Sequence, residues 1–176
     1  MRYVLLFMVL SFLISCKEKK NSETENRQLV VIEDNELKLI INAEVLVDDV
    51  FEVYFYEFGE DTFHSEDFVE TKVKGGRGNQ DIVFTLPDRI YPERIRLDFG
   101  KTPKQKEMKL NSVKFTYNDK AYEFSKEEIV SGFSPSKFME FNKESMIIRT
   151  KEIDSRYDPY LYSKKITNII DYLIED

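Results

Sequence analysis

The sequence predicts a mainly β protein, an antiparallel β-sandwich with a C-terminal α-helix. Three observations carry that expectation. Apolar and polar residues alternate with period 2 in run after run, turn residues bound those runs, and a single stripe of helical period stands at the end of the chain.

Taken in order, the first segment is not a strand. Arg2 supplies a positive start, and Tyr3 to Ile14 form an apolar stretch of about 12 residues, too short to cross a ~30 Å hydrocarbon core as a helix. It predicts a signal peptide over residues 1–15. The stretch closes with Leu13-Ile14-Ser15-Cys16, which resembles a bacterial lipobox, where a small residue precedes the cysteine that is diacylated before cleavage. The resemblance implies a mature chain that begins at lipidated Cys16 and has the membrane as its first partner. The alternative is an ordinary signal peptide with an incidental cysteine. Cys16 is the one cysteine of the chain, so no disulfide and no cysteine-based metal site is expected beyond it.

Residues 16–28, the cysteine followed by KEKKNSETENRQ, lack large apolar side chains and periodicity. Such a segment buries too little surface to offset the entropy of ordering, so it reads as a flexible tether. Lys17 and Glu18 resemble the start of the sorting signals of some diderm lipoproteins, which implies the cell envelope, and its outer membrane in particular.

Residues 29–176 suit one domain. With 41% hydrophobic and 14% aromatic residues the chain has ample core material for a fold of that size. Loss of Arg2 with the signal segment leaves 25 of the 26 basic residues against 33 acidic ones, a formal −8. An acidic chain without a clustered basic face argues against nucleic acid as a partner.

The first predicted strand lies in NELKLIINAEVL, where Leu37, Leu39, Ile41, Ala43 and Val45 alternate with Lys38, Asn42 and Glu44. The pattern recurs in DVFEVYFYEF, QDIVFTLP, ERIRLDFG, KLNSVKFTY and KAYEF, with Gly75-Gly76, Gly78-Asn79, Pro87-Asp88 and Gly100 as punctuation. Many strands with little helix between them imply antiparallel pairing. Asn118-Asp119 predicts a hairpin between KFTY and AYEF, and the slip of alternation between Leu110 and Val113 predicts a bulge near Asn111-Ser112. Ser125 and Glu128 have capping-box spacing for a short helix, with Gly132 placed to stop it. In SKKITNIIDYLIED, Ile166, Ile169, Ile170 and Leu173 make one apolar stripe, and Asp158-Pro159 reads as the cap and first turn leading to that helix.

YPERIRLDFGK, KLNSVKFTYNDKAYEF and RYDPYLYS together resemble the galactose-binding-like, jelly-roll carbohydrate-binding modules of bacterial envelope proteins, over about Asn35 to Tyr162. The resemblance implies a jelly-roll-like sandwich that binds glycans or packs against a partner domain. No catalytic motif comes with it, and fold analogy is not function.

The residues that could carry chemistry are few. His64 is the only histidine, which excludes a multi-histidine metal site, and no G-x-S-x-G stretch supplies a nucleophile for it to serve. Glu60, Asp61, Glu66 and Asp67 in GEDTFHSED could hold a structural calcium through carboxylate oxygens, or form a wet hairpin tip. A small glycoside hydrolase would need two carboxylates about 5 to 10 Å apart, and sequence does not say which two would face each other.

In DVFEVYFYEF, if Phe51, Val53 and Phe55 face the core, Tyr54, Tyr56 and Phe58 line the opposite face. That row would be a platform for sugar rings, or would be covered by the terminal helix. Arg94, Arg96 and Asp98 also face outward, where the arginines could fork onto an acidic glycan or pair with neighbouring acids. The expectation is a membrane-tethered envelope lipoprotein without catalytic function, a carbohydrate-binding or adaptor module. The alternatives are a docking partner of another envelope protein, and after that a hydrolase.

Overall fold

Alternation in sequence becomes alternation of burial. The computed structural model describes residues 35–60, 62–76 and 78–175. Cys16, the signal and tether segments, and Asp61 lie outside the described residues. In β1 (Lys38–Val45), Leu39, Ile41, Ala43 and Val45 are buried and the residues between them half-exposed. The chain continues through β2 (Asp49–Tyr56), β3 (Phe68–Val73), β4 (Asn79–Thr85), β5 (Arg94–Asp98), β6 (Glu107–Tyr117), β7 (Lys120–Glu123), α1 (Lys126–Gly132), β8 (Phe133–Pro135), β9 (Met139–Asn142), β10 (Ile147–Thr150), β11 (Tyr160–Ser163) and α2 (Thr167–Ile174).

The strands form two antiparallel sheets. One is six-stranded in the order β4-β1-β6-β10-β9, with β7 also on β6, and the other is five-stranded in the order β3-β2-β5-β11-β8. Their inward side chains, such as Leu39, Ile41 and Phe115 from the first and Phe51, Ile95 and Leu161 from the second, share one core. Each large aliphatic side chain buried there contributes roughly 1.5 to 3 kcal/mol.

Local expectations hold in detail at three places. Asn42 pairs with Ser112 and Ala43 with Leu110, so Asn111 is the extra residue of a bulge. Its amide instead donates to Asn42 Oδ1 at 3.0 Å and Asn79 Oδ1 at 3.1 Å. Tyr117 pairs with Lys120 across the hairpin, and Asn118 adopts φ 52°, the left-handed conformation that asparagine tolerates. Ser125 and Glu128 close a reciprocal capping box at the start of α1.

Elsewhere the structure corrects the sequence reading. Gly132 is the last helical residue but not a left-handed cap; α1 stops because Phe133 turns extended at φ −120° and buries its ring as β8 begins. Asp158-Pro159 does not open the terminal helix. It precedes β11, and the Pro159 carbonyl accepts from Phe99 N–H at 2.9 Å. Helix α2 starts at Thr167, after Ile166, and buries Ile170 and Leu173 while packing against β6 and β7.

The phrase R-L-D-F-G gains a physical meaning. Leu97 and Phe99 are core residues, and Arg96 and Asp98 face outward. Gly100 has φ +98°, a conformation that favours glycine, and a Cβ there would lie 2.5 Å from Asp49 Oδ2 and displace that carboxylate. The room it leaves lets Asp49 accept from Lys101 N–H at 3.0 Å and from the Thr102 hydroxyl at 3.2 Å.

Candidate functional site

The two outer faces differ in kind. On the six-stranded sheet the outward residues include polar partners, such as Asn42 with Asp81 at 2.7 Å and Arg149 with Glu107 at 2.8 Å, beside the apolar pair Ile40 and Val83. On the five-stranded sheet aromatic side chains and arginines cluster at outward positions of three adjacent strands, beside the acids Glu52 and Asp98. Strand β2 brings Tyr54 and Tyr56, β5 brings Arg94, Arg96 and Asp98, and β11 brings Tyr160 and Tyr162. Register sets Tyr54 opposite Arg96 and Tyr56 opposite Arg94, with Tyr162 opposite Arg96 on the other side. Because side chains of one face recur every second residue, all seven meet on that face.

Arg96 is the hub. Its Nε donates to Asp98 Oδ1 at 2.8 Å and its Nη2 to Asp98 Oδ2 at 2.6 Å, a bidentate pair within one strand. The same Nη2 donates to Asp158 Oδ1 from the turn before β11. Its guanidinium carbon lies 3.9 Å from the ring centre of Tyr160 and 5.2 Å from that of Tyr54, within cation–π range. Of the two readings of this arginine, pairing with neighbouring acids describes it: its fork is engaged by two acids of its own chain. Burial pushes the Asp98 carboxyl up to about 7, with Asp158 and Glu52 adding to it and Arg96 pulling the other way. Arg94 stands over Tyr162 at 5.7 Å, with Glu93 at 4.0 Å.

Tyr56 and Tyr162 share a hydroxyl hydrogen bond of 2.9 Å, and Phe63 from the loop between β2 and β3 packs edge-on against both rings, at 4.7 and 5.5 Å. Burial and that bond raise the Tyr56 phenol to about 12. At 4% exposure Tyr56 is covered rather than an open platform, and Phe63 rather than the terminal helix packs on it. Tyr54 is half-buried, stacked on Phe68 at 5.1 Å, and Phe58, beyond the end of β2, is 82% exposed. Beside these groups lies a depression of about 500 Å³ lined by Tyr56, Phe63, Arg96, Ser134, Tyr160 and Tyr162.

Asp98 and Asp158 are two carboxylates that converge, as a glycosidase requires, yet both are engaged with Arg96 and neither lines the depression. In the acidic loop, Glu60 and Asp67 approach His64, with one ligand atom of each within 4.8 Å of the others. Glu66 accepts from the Ser65 hydroxyl at 2.9 Å, and Asp61, the remaining carboxylate considered for calcium, lies outside the described residues. A second groove, about 450 Å³, lies between the exposed Phe58, Tyr91, Glu93 and the face of α2 carrying Ile170 and Asp171.

Sequence reasoning named Tyr54, Tyr56, Arg94 and Arg96 but missed Tyr160, Tyr162, Phe63 and Asp158. The Y-x-Y spacing of PYLYS was the available signal for the two tyrosines, since it repeats the period of Tyr54 and Tyr56. Nothing in GEDTFHSED marks Phe63 as a cover. Comparison with known proteins adds no relative: no protein family, curated protein or solved structure matches the chain.

Proposed function

We propose that this chain is a lipid-tethered envelope protein, anchored through Cys16, that acts without catalysis as a glycan-binding module, with the outer face of the five-stranded sheet as its site. The observation that carries the reading is the contrast between the two outer faces. One is a mixed surface of polar pairs and aliphatic residues without aromatic clustering between its central strands, whereas the other gathers Tyr160, Tyr162 and Phe63 around a depression beside a clamped arginine. Aromatic rings offer flat apolar surface to the C–H face of a pyranose, and phenol hydroxyls offer hydrogen bonds at its edge. Anchoring Arg96 from both sides holds Tyr160 in place before any ligand arrives, which lowers the ordering cost of binding.

The test is a glycan array probed with the full chain in a non-glycosidic detergent, alongside Tyr160→Ala. Retention of specific glycans by the wild type and their loss in a folded Tyr160→Ala variant is the expected result. Binding that the variant keeps would move the site elsewhere, and binding to no glycan would remove the reading. Docking of another envelope protein is the second reading, favoured by Phe58, which is 82% exposed at the mouth of the groove against α2.

A further inference from the structure

Resting on the reading of this face as a glycan site, we infer that its ligand is a neutral, hydroxyl-rich pyranose unit and that sugars carrying a carboxylate are disfavoured. Among the described residues, Arg96 is the one charged side chain lining the depression. Strong capture of a carboxylate by arginine uses two parallel N–H bonds from adjacent nitrogens of the fork. Here Nε and one Nη2 hydrogen are directed at Asp98, and the remaining Nη2 hydrogen at Asp158. Every pair of adjacent nitrogens includes Nη2, or Nε already bound to Asp98, so no bidentate edge is open to a ligand. Only Nη1 is left, as a single-armed donor suited to a hydroxyl or ring oxygen.

Charge points the same way. One guanidinium stands between two carboxylates, with Glu52 of the same sheet face nearby, and Lys101 is taken up by Glu52 at 2.7 Å and Glu70 at 2.9 Å. The other guanidinium on this face, Arg94, lies over Tyr162 with Glu93 at 4.0 Å and does not line the depression. An incoming anion therefore meets no net positive charge at Arg96, and would face like charge from Asp158. A neutral pyranose finds aromatic surface at Tyr160 and Phe63, a donor and acceptor hydroxyl at Ser134, and the remaining bonding capacity of the Tyr162 hydroxyl beside its bond to Tyr56.

The experiment is calorimetric titration of the full chain, in the same non-glycosidic detergent, with matched pairs of probes: galacto-oligosaccharides against oligogalacturonides and manno-oligosaccharides against oligomannuronides of equal length. The expected result is that the neutral member of at least one pair binds about ten-fold or more tighter than its acid counterpart, a difference of about 1.4 kcal/mol. In Asp158→Ala, which frees one Nη2 hydrogen and removes a charge, affinity for the acid member should rise and narrow that gap. Equal or tighter binding of the acid members by the wild type overturns the inference while leaving the glycan site standing. Failure of both members of every pair to bind overturns the inference for these sugars, and an array that retains no glycan overturns the glycan reading itself. The wild-type comparison decides between these outcomes even if the variant does not fold.

Discussion

Asp98 is held where its charge is disfavoured, and that has a sign that can be measured. Its side chain is 12% exposed, and its carboxyl is raised from 3.8 to about 7 in the fold, chiefly by burial. A raised acid contributes stability that is fully present below the unfolded value near 4 and is lost as pH rises through about 7. Wild-type stability should therefore fall between pH 5 and 8 by roughly 2 kcal/mol relative to Asp98→Asn, which has no carboxyl to ionise. Denaturant unfolding of both proteins across that range is the check, and parallel curves would show that Asp98 is ionised throughout. The outward Arg94-Arg96-Asp98 alternation was legible because period 2 is a local property. Asp158, 62 residues from Arg96, was not, since nothing local in the sequence reports which turn a fold folds back onto a strand.

At the scale of elements, legibility followed length, except at β7, whose 4 residues were read through the Asn118-Asp119 turn. Strands β1, β2 and β6 run for 8, 8 and 11 residues and display several full alternations, so the apolar face could be read directly. Strands β8 to β11 are 3 or 4 residues long and show at most two inward positions, too few to separate a strand from a loop by pattern alone. Strand β3 went unread for another reason: FVETKV interleaves charged residues with apolar ones at the sheet edge, where charge blunts unwanted pairing.

The terminal helix was readable from its stripe, but its start was not, because Tyr160–Ser163 pairs with both β5 and β8. Any truncation that tests the helix must begin at Thr167. Leu173 is 1% exposed on the inner side of α2, so Leu173→Ala should lower stability by roughly 2 to 5 kcal/mol, read by denaturant unfolding. An unchanged midpoint would mean that the helix is not part of the core.

The described residues form a sandwich with two dissimilar outer surfaces, and the difference between them was only half visible beforehand. The direction of Tyr54 and Tyr56 away from the core followed from Phe51, Val53 and Phe55 facing into it. Which tyrosines border an accessible depression depended on Phe63, a loop side chain that no periodicity marks and that screens Tyr56 while leaving Tyr160 at its rim. At the same scale, the proposed anchor predicts that Cys16→Ser releases the protein from the membrane fraction, and unchanged fractionation of that variant would contradict it.

The most direct test of the account is carbene footprinting of the full chain, with and without a saturating concentration of the glycan the array selects. The account predicts protection of the peptides containing Phe63, Ser134 and Tyr160, with labelling at Phe58, Tyr91 and the outer face of the six-stranded sheet unchanged. Protection confined to Phe58 and α2, with Tyr160 labelled as before, would contradict it and place recognition in the second groove.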